Sequence, residues 1–322
     1  MRALAFVFPG QGSQSVGMAA NLFGSDEAAA AVLAAADEAL GEPLGRLIRE
    51  GDPQVLDLTV NAQPALLATS IAYLGALQAR WAEAGRDAQP RFFAGHSMGQ
   101  YSAMVAAGVL SLADGMRLVR ERGRLMQASG GDGAMAAIIG LPDERLPDLE
   151  AAGRAAGVFA IANRNSPGQV VISGDRAAVE AAAESARELG AKRALILPVS
   201  VAAHSPLMAA AAEGMRAVLA DVAFSEPSAP LLANADARLL TTGEGCRDEL
   251  IEHLTRGVDW VAAVERMRDD GVETFLEVGP GKVLSGLIRR IAPDAETIAI
   301  DEPSAPSGIA EAALALRSPA PA

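Results

Sequence analysis

FFAGHSMGQY, residues 92–101, places a short apolar run (Phe92, Phe93, Ala94) directly ahead of Gly95-His96-Ser97-Met98-Gly99, and a helix-favouring segment from Gln100 to Ala107 follows. Strand, tight turn and helix in that order form an elbow. A serine at so sharp a turn sits in a strained backbone conformation, and the glycines two before and two after it supply the missing side chains that the turn needs. The hydroxyl is then held above the carboxyl edge of a sheet, with the Met98 amide at a helix N-terminus beside it. Nucleophile and oxyanion donor for an acyl transfer thus come from one turn. The five-residue pattern is short, and the chain holds 32 glycines. The other segments have to supply its partners.

The chain has 322 residues, 50% of them hydrophobic, which suits a buried α/β architecture. One large domain with an insertion and two separate domains both satisfy that length. A formal charge of -13 argues against nucleic acid or an anionic membrane as the main partner. Cys246 is the single cysteine, so no internal disulfide forms, and no Cys/His cluster has zinc-ligand spacing. The apolar run before Pro9 is too short for a secretory signal, and no stretch is long and apolar enough to span a bilayer. The expectation is a cytoplasmic monomer without metal or cofactor.

Outward from the elbow, Ala3 to Phe8 reads as a fully buried strand ended by Pro9-Gly10. The loop Gly10-Gln11-Gly12 lacks the third glycine of a dinucleotide fold and the lysine of a P-loop, so it reads as shaping some other site. Helices are expected over 28–47, over 64–79 beginning near Asn61-Ala62-Gln63, and over 112–127. The second is apolar nearly all round and fits beneath the elbow. In the third, Arg117, Arg120 and Arg124 share one face that reads as solvated, while Arg122 points elsewhere and faces inward.

From Gly133 the rhythm becomes β-α-β-β-α-β, with strands over 134–139, 158–163, 169–173 and 193–198 and helices over 142–156 and 177–189. This is the order of a ferredoxin-like unit, and Asn165-Ser166-Pro167-Gly168 supports its hairpin. Gly130-Gly131-Asp132-Gly133 reads as a hinge at its entrance. The chain returns at 199–206, and further helices are expected over 206–219, 246–255, 260–269 and 282–291. Strands are expected over 231–233, 274–278 and 297–300. Beyond Pro303 a short helix over 309–316 precedes a frayed end.

A serine needs a base within reach. The chain holds three histidines. His96 precedes the nucleophile and points away from it, and His253 lies within a helix. His204, in a loop just after a strand, is the base by elimination. No acidic residue stands beside it in sequence, so a dyad oriented by a main-chain carbonyl and a triad both remain open.

Seven segments together carry a resemblance: FVFPGQGSQ (6–14), TVNAQPAL (59–66), GHSMGQYSA (95–103), RERGRLMQ (120–127), NRNSPGQVVISG (163–174), LPVSVAAHSPLM (197–208) and EVGPGKVLSGL (277–287). In this order they resemble the malonyl-CoA:acyl carrier protein transacylases and the acyltransferase domains of polyketide synthases, over roughly residues 4 to 300. The resemblance implies an α/β-hydrolase-like large domain (1–130 and 199–303), an inserted ferredoxin-like small domain (131–198) and a tail (304–322). It implies Ser97 as nucleophile, His204 as base, and the main-chain amides of Gln11 and Met98 as oxyanion hole. Arg122 corresponds to the arginine that binds the free malonyl carboxylate, and Gln63 and Asn163 match polar positions lining the acyl pocket. His253 stands where the family has a glutamine whose backbone carbonyl orients the catalytic histidine, and it joins the expected substrate-site residues. Val201-Ala202-Ala203-His204 differs from the tetrapeptides that sort malonyl from methylmalonyl domains. The implied partners are malonyl-CoA and an acyl carrier protein, and the implied reaction is malonyl transfer in fatty-acid or polyketide synthesis. A substituted malonyl unit and an acyl-thioester hydrolase are the alternatives, and Arg122 argues against the hydrolase because simple hydrolysis needs no carboxylate anchor.

Overall fold

The computed structural model describes residues 3–85, 89–129, 131–199 and 201–301. Gly130 of the expected hinge, the helix expected over 309–316 and the tail lie outside the described residues. In chain order the elements are β1 (Ala3–Phe8), α1 (Ala20–Ser25), α2 (Glu27–Leu40), α3 (Leu44–Glu50), α4 (Pro53–Asp57), α5 (Thr59–Glu83), β2 (Phe92–Gly95), α6 (Gly99–Ala106) and α7 (Leu112–Ala128). Then come β3 (Gly133–Ile139), α8 (Leu146–Ala156), β4 (Phe159–Ser166), β5 (Gln169–Asp175), α9 (Arg176–Glu188) and β6 (Arg193–Ile196). The chain continues through α10 (Ala209–Leu219), β7 (Leu231–Leu232), β8 (Leu239–Leu240), α11 (Gly243–Glu252), β9 (Val258–Asp259), α12 (Trp260–Asp269), β10 (Val272–Glu277), α13 (Val283–Ile291) and β11 (Glu296–Ala299).

β1 is central to a six-stranded sheet of order β11-β10-β1-β2-β7-β8. Its pairings with β10 and β2 are parallel, and only β8 runs antiparallel, to β7. Alternate residues of β1 enter different cores: Leu4, Phe6 and Phe8 face one, Ala5 and Val7 the other. Burial on both faces is why this strand reads as a continuous apolar run instead of an alternation. Phe6 packs against Trp81 of α5 and edge-on against Phe93 of β2. The apolar circumference of α5 is buried against α2 and α7.

The second sheet has the order β6-β3-β5-β4-β9. Its first four strands are antiparallel and, with α8 and α9, form the expected ferredoxin-like unit. The β4–β5 hairpin turns at Pro167-Gly168, with Gly168 at φ 70. β9 is a strand that sequence reading missed. It belongs to the returning chain and pairs parallel with β4 through Asn163↔Val258 and Arg164↔Asp259, so the returning chain is tied to the second sheet by backbone hydrogen bonds. The Arg164–Asp259 ion pair, at 2.6 Å, reinforces the same seam.

Several expectations change. The helix expected over 28–47 is two helices, α2 and α3, separated at Gly41 and Pro43. α5 starts at Thr59 and carries Pro64 inside it. A proline there removes the donor that would meet the Val60 carbonyl four residues back. Arg120 of α7 supplies the donor instead, Nη1 to Val60 O at 2.7 Å, and also reaches Asn61 Oδ1 at 2.6 Å and pairs with Glu42. The expectation of a solvated arginine face therefore holds for Arg117 and Arg124 and fails for Arg120, which repairs the proline's gap. Among the described residues no helix is long and apolar enough to cross a membrane.

The elbow lies where β1, β2 and α6 meet. A Cβ on Gly95 would stand 2.1 Å from the Gly99 carbonyl carbon, and one on Gly99 would stand 2.2 Å from the Phe8 oxygen. Both obstacles are backbone and neither yields by a rotamer change. Gly95→Ala should lower the unfolding free energy by at least about 3 kcal/mol, the upper range for overpacking, in urea titration. Gly286→Ala, in α13 with nothing within 4 Å of the new methyl, should leave it unchanged or raise it by up to about 1 kcal/mol through helix propensity.

Candidate active site

Ser97 has φ 54, and His204 has φ 60. They are two of only four non-glycine residues with positive φ among the described residues. Each such conformation costs about 1–3 kcal/mol and persists only where the surroundings over-determine it. At Ser97 the surroundings are explicit. Its amide donates to Asn234 Oδ1 at 2.8 Å, and the next turn is tied by Gln100, whose Oε1 accepts from the Gly95 amide and whose Nε2 donates to the Leu232 carbonyl of β7. The Met98 amide sits at the N-cap of α6, where it has no intrahelical acceptor. Gly10 packs so closely on the elbow that a Cβ there would meet the His96 oxygen at 2.5 Å, which brings the Gln11 loop alongside Ser97.

His204 Nε2 lies 2.8 Å from Ser97 Oγ. On its other side, His204 Nδ1 lies 2.6 Å from the His253 carbonyl and 3.1 Å from that of Arg256. Two carbonyl acceptors require Nδ1 to carry the proton, leaving Nε2 as the acceptor for the serine hydroxyl. Between the dyad and triad left open by sequence, the orienting group is main-chain. The imidazole pKa is lowered to about 3, first by burial and then by the Arg122 charge, against the opposing His253 carbonyl. The base is neutral at rest.

Arg122 projects from α7 and is 1% exposed. Its Nη1 donates to Gln63 Oε1 at 2.8 Å, and its Nη2 donates to Ser97 Oγ at 3.2 Å and lies 3.3 Å from His253 Nε2. The Tyr101 ring covers the guanidinium at 5.9 Å. Every one of these groups is neutral, and Nε has no hydrogen-bond partner. Burial draws its pKa down, yet a guanidinium stays charged in a protein. This is a buried cation with no carboxylate beside it among the described residues.

Ser97, His204 and Arg122 line a cavity of about 640 Å³ between the two sheets, with Gln11, Asn163 and Met126 in its wall and Val199 and Val283 at its apolar rim; Gln63, Tyr101 and His253 lie behind Arg122 and outside that lining. The structure thus brings Ser97, His204, Arg122, Gln63, Gln11, Met98, Asn163 and His253 together. Asn163 lines the cavity from β4. Of the two remaining histidines, His96 turns away from Ser97, its Nε2 2.9 Å from Asn165 Oδ1 and its ring against Trp260.

Sequence reasoning missed Asn234, Glu249 and Tyr101. Glu249 is fully buried in α11, accepts the Asn234 amide at 2.7 Å, and its pKa is raised to about 7 by burial, which outweighs that amide and the nearby Arg238. The chain Glu249 to Asn234 to Ser97 fixes the strained turn. Tyr101 follows Ser97 by four residues, one helical turn, and that spacing was its only signal.

The acyl transferase domain family matches residues 5–300. The malonyl CoA-acyl carrier protein transacylase of Escherichia coli (strain K12) is 45% identical over 307 residues, covering 95% of this chain and 98% of that protein. The protein of the same name from Bacillus subtilis (strain 168) is 44% identical over 306 residues, covering 94% and 95%. Among solved structures, an acyl-carrier-protein-S-malonyltransferase from Bartonella henselae superposes with a TM-score of 0.92 at 42% identity, covering 98% of this chain and 99% of that one. A malonyl-transacylase solved in complex with a type II polyketide synthase acyl-carrier protein superposes at 0.88 with 40% identity, covering 96% and 99%. With the nucleophile elbow, the base and the buried arginine assembled in one cavity, this chain belongs to the acyl transferase domain family.

Proposed function

We propose that this protein transfers a malonyl group from malonyl-CoA to the phosphopantetheine thiol of an acyl carrier protein, through a malonyl ester on Ser97, in fatty-acid or polyketide synthesis. The buried, carboxylate-free Arg122 beside Ser97 carries this reading. An acyl group that ends in a carboxylate supplies the missing anion, and the planar guanidinium meets it with two parallel hydrogen bonds that a lysine would not reproduce. The relatives named for malonyl transfer support the same substrate.

The malonyl thioester enters with its carboxylate on Arg122 and its carbonyl oxygen toward the amides of Gln11 and Met98. His204 Nε2 takes the Ser97 proton as Oγ attacks the carbonyl carbon, and the two amides hold the tetrahedral oxyanion. The carbon–sulfur bond breaks, and the imidazolium returns its proton to the departing coenzyme A thiolate. The carrier thiol then attacks the malonyl ester. His204 accepts its proton and passes it to Ser97 Oγ as the ester breaks. Asn163 lines the acyl pocket, and Gln63 acts from behind it by holding Arg122 Nη1. Residues 131–198 form the small domain in this reading, and the cytoplasm, where Cys246 stays a free buried thiol, is the site of the reaction.

Arg122→Ala should lower kcat/KM for malonyl-CoA by about two orders of magnitude, the scale of two charge-assisted hydrogen bonds, while acetyl-CoA gains relative to it. Acylation of Ser97 followed by intact mass with both acyl-CoAs measures this, and an unchanged preference refutes the role. Because the resting base has a lowered pKa, the unprotonated form persists as pH falls through 6.5. kcat/KM for acylation should therefore hold from about pH 8 to about pH 5, and an acid limb centred near 6.5 would show an ordinary imidazole. Carrier proteins are acidic, as is this chain, so docking calls for a local basic patch. Arg187, Lys192 and Arg193 on the small domain, or Lys282, Arg289 and Arg290, provide one. Charge reversal in the patch used should raise the carrier-protein KM and spare the malonyl-CoA half-reaction; equal loss in both halves rules it out.

A further inference from the structure

His253 caps the C-terminus of α11 and meets two different parts of the site with two different groups. Its carbonyl accepts from the His204 imidazole. Its side chain, fully buried, places Nε2 3.3 Å from Arg122 Nη2. A guanidinium has only donors to offer, so Nε2 is the acceptor and the ring proton is on Nδ1. That nitrogen points back along the helix to Glu249, with Oε1 at 3.9 Å one turn earlier. The fully buried ring lies between His204, at 6.0 Å, and the edge of Tyr101, at 6.2 Å. Burial first, then the Arg122 charge, hold its pKa well below the ordinary value, in keeping with a neutral ring.

Arg122 Nη2 has two acceptors, and they differ in kind. Ser97 Oγ is the reacting atom: a hydroxyl at rest, it becomes an ester oxygen in the acyl-enzyme, and an ester oxygen is a poor acceptor. Gln63 holds only Nη1. His253 Nε2 is the one acceptor on Nη2 whose chemistry stays the same through both half-reactions. We propose that His253 is a positioning residue that holds the Arg122 guanidinium in the orientation that meets the acyl carboxylate, and thereby sets the preference for acid-bearing acyl groups.

This inference rests on Arg122 as the carboxylate anchor. Glutamine retains a strong neutral acceptor at this position and methionine, of nearly the same shape, offers only a weak thioether sulfur, while both keep the backbone carbonyl on His204. The experiment compares His253→Gln and His253→Met in steady-state acylation with malonyl-CoA and acetyl-CoA, with thermal unfolding recorded for each. His253→Met should raise the malonyl-CoA KM about tenfold, the scale of one hydrogen bond to a charged group, and should cost the malonyl-CoA reaction more than the acetyl-CoA reaction. His253→Gln should recover most of the malonyl-CoA KM. Should the methionine variant fail to fold, His253→Leu makes the same comparison. Equal losses with both acyl-CoAs, or a glutamine variant no better than the apolar one, overturns the proposal. Arg122→Ala separates the two levels. If it erases the malonyl preference while His253→Met leaves it intact, the positioning role alone fails; if it too leaves the preference intact, the anchor reading fails.

Discussion

A guanidinium 1% exposed and met only by neutral groups is an unbalanced charge in the interior, and much of the molecule around the site is arranged to hold it there. Removing a charge from water is expensive, and the effective penalty remains several kcal/mol even after relaxation. Partial compensation comes from four elements at once: Gln63 from α5, Tyr101 from α6, Ser97 from the elbow and His253 from the end of α11. None of these cancels the charge. A site stabilised in this way is left with a standing preference for an anion, and the place where the anion can be met is the cavity above the nucleophile.

The elbow and the base depend on the same short helix. Glu249 and His253 are four residues apart on α11, so they project from one face. Glu249 reaches the Asn234 backbone, and Asn234 reaches the Ser97 amide, which secures the left-handed turn at the nucleophile. His253 fixes the base through its carbonyl and touches the cation through its ring. Ser97, His204 and Arg122 thus each have one of their contacts on the same helix, packed in the core. This suits a dyad without an acidic third member, because the carbonyls of His253 and Arg256 perform the orienting function that a carboxylate would otherwise supply.

How legible was this in the sequence? Features with a local steric cause were readable. Gly95 and Gly99 announce the elbow because no other residue fits between β2, α6 and Phe8. The apolar run of β1 announces a doubly buried strand, and the β-α-β-β-α-β rhythm announces the ferredoxin-like unit. The inward direction of Arg122 follows from helical spacing. Features whose cause is long-range were not readable. Arg120 looks like any surface arginine until the Val60 carbonyl is placed beside it without a donor, and that gap is created by Pro64 on a different helix. β9 is two residues long and has a reason to exist only once β4 lies next to it. Asn234 and Glu249 bear no motif, since their role is to satisfy each other and Ser97.

The cation also acts on the base, and this connects selectivity to chemistry. After burial, the Arg122 charge is the largest influence lowering the His204 pKa. A lowered pKa makes Nε2 a weaker base toward the serine proton and its conjugate acid a stronger donor to a leaving thiolate. Under the proposed function, a carboxylate arriving on Arg122 would offset the guanidinium's field at the imidazole and make it a stronger base once an acid-bearing acyl group is in place. An acetyl group brings no such charge and leaves the base depressed. In the proposed reaction, discrimination between the two acyl groups arises twice from one residue, once in binding and once in the proton transfer that binding enables. Interactions of the second kind appear in kcat as well as in KM.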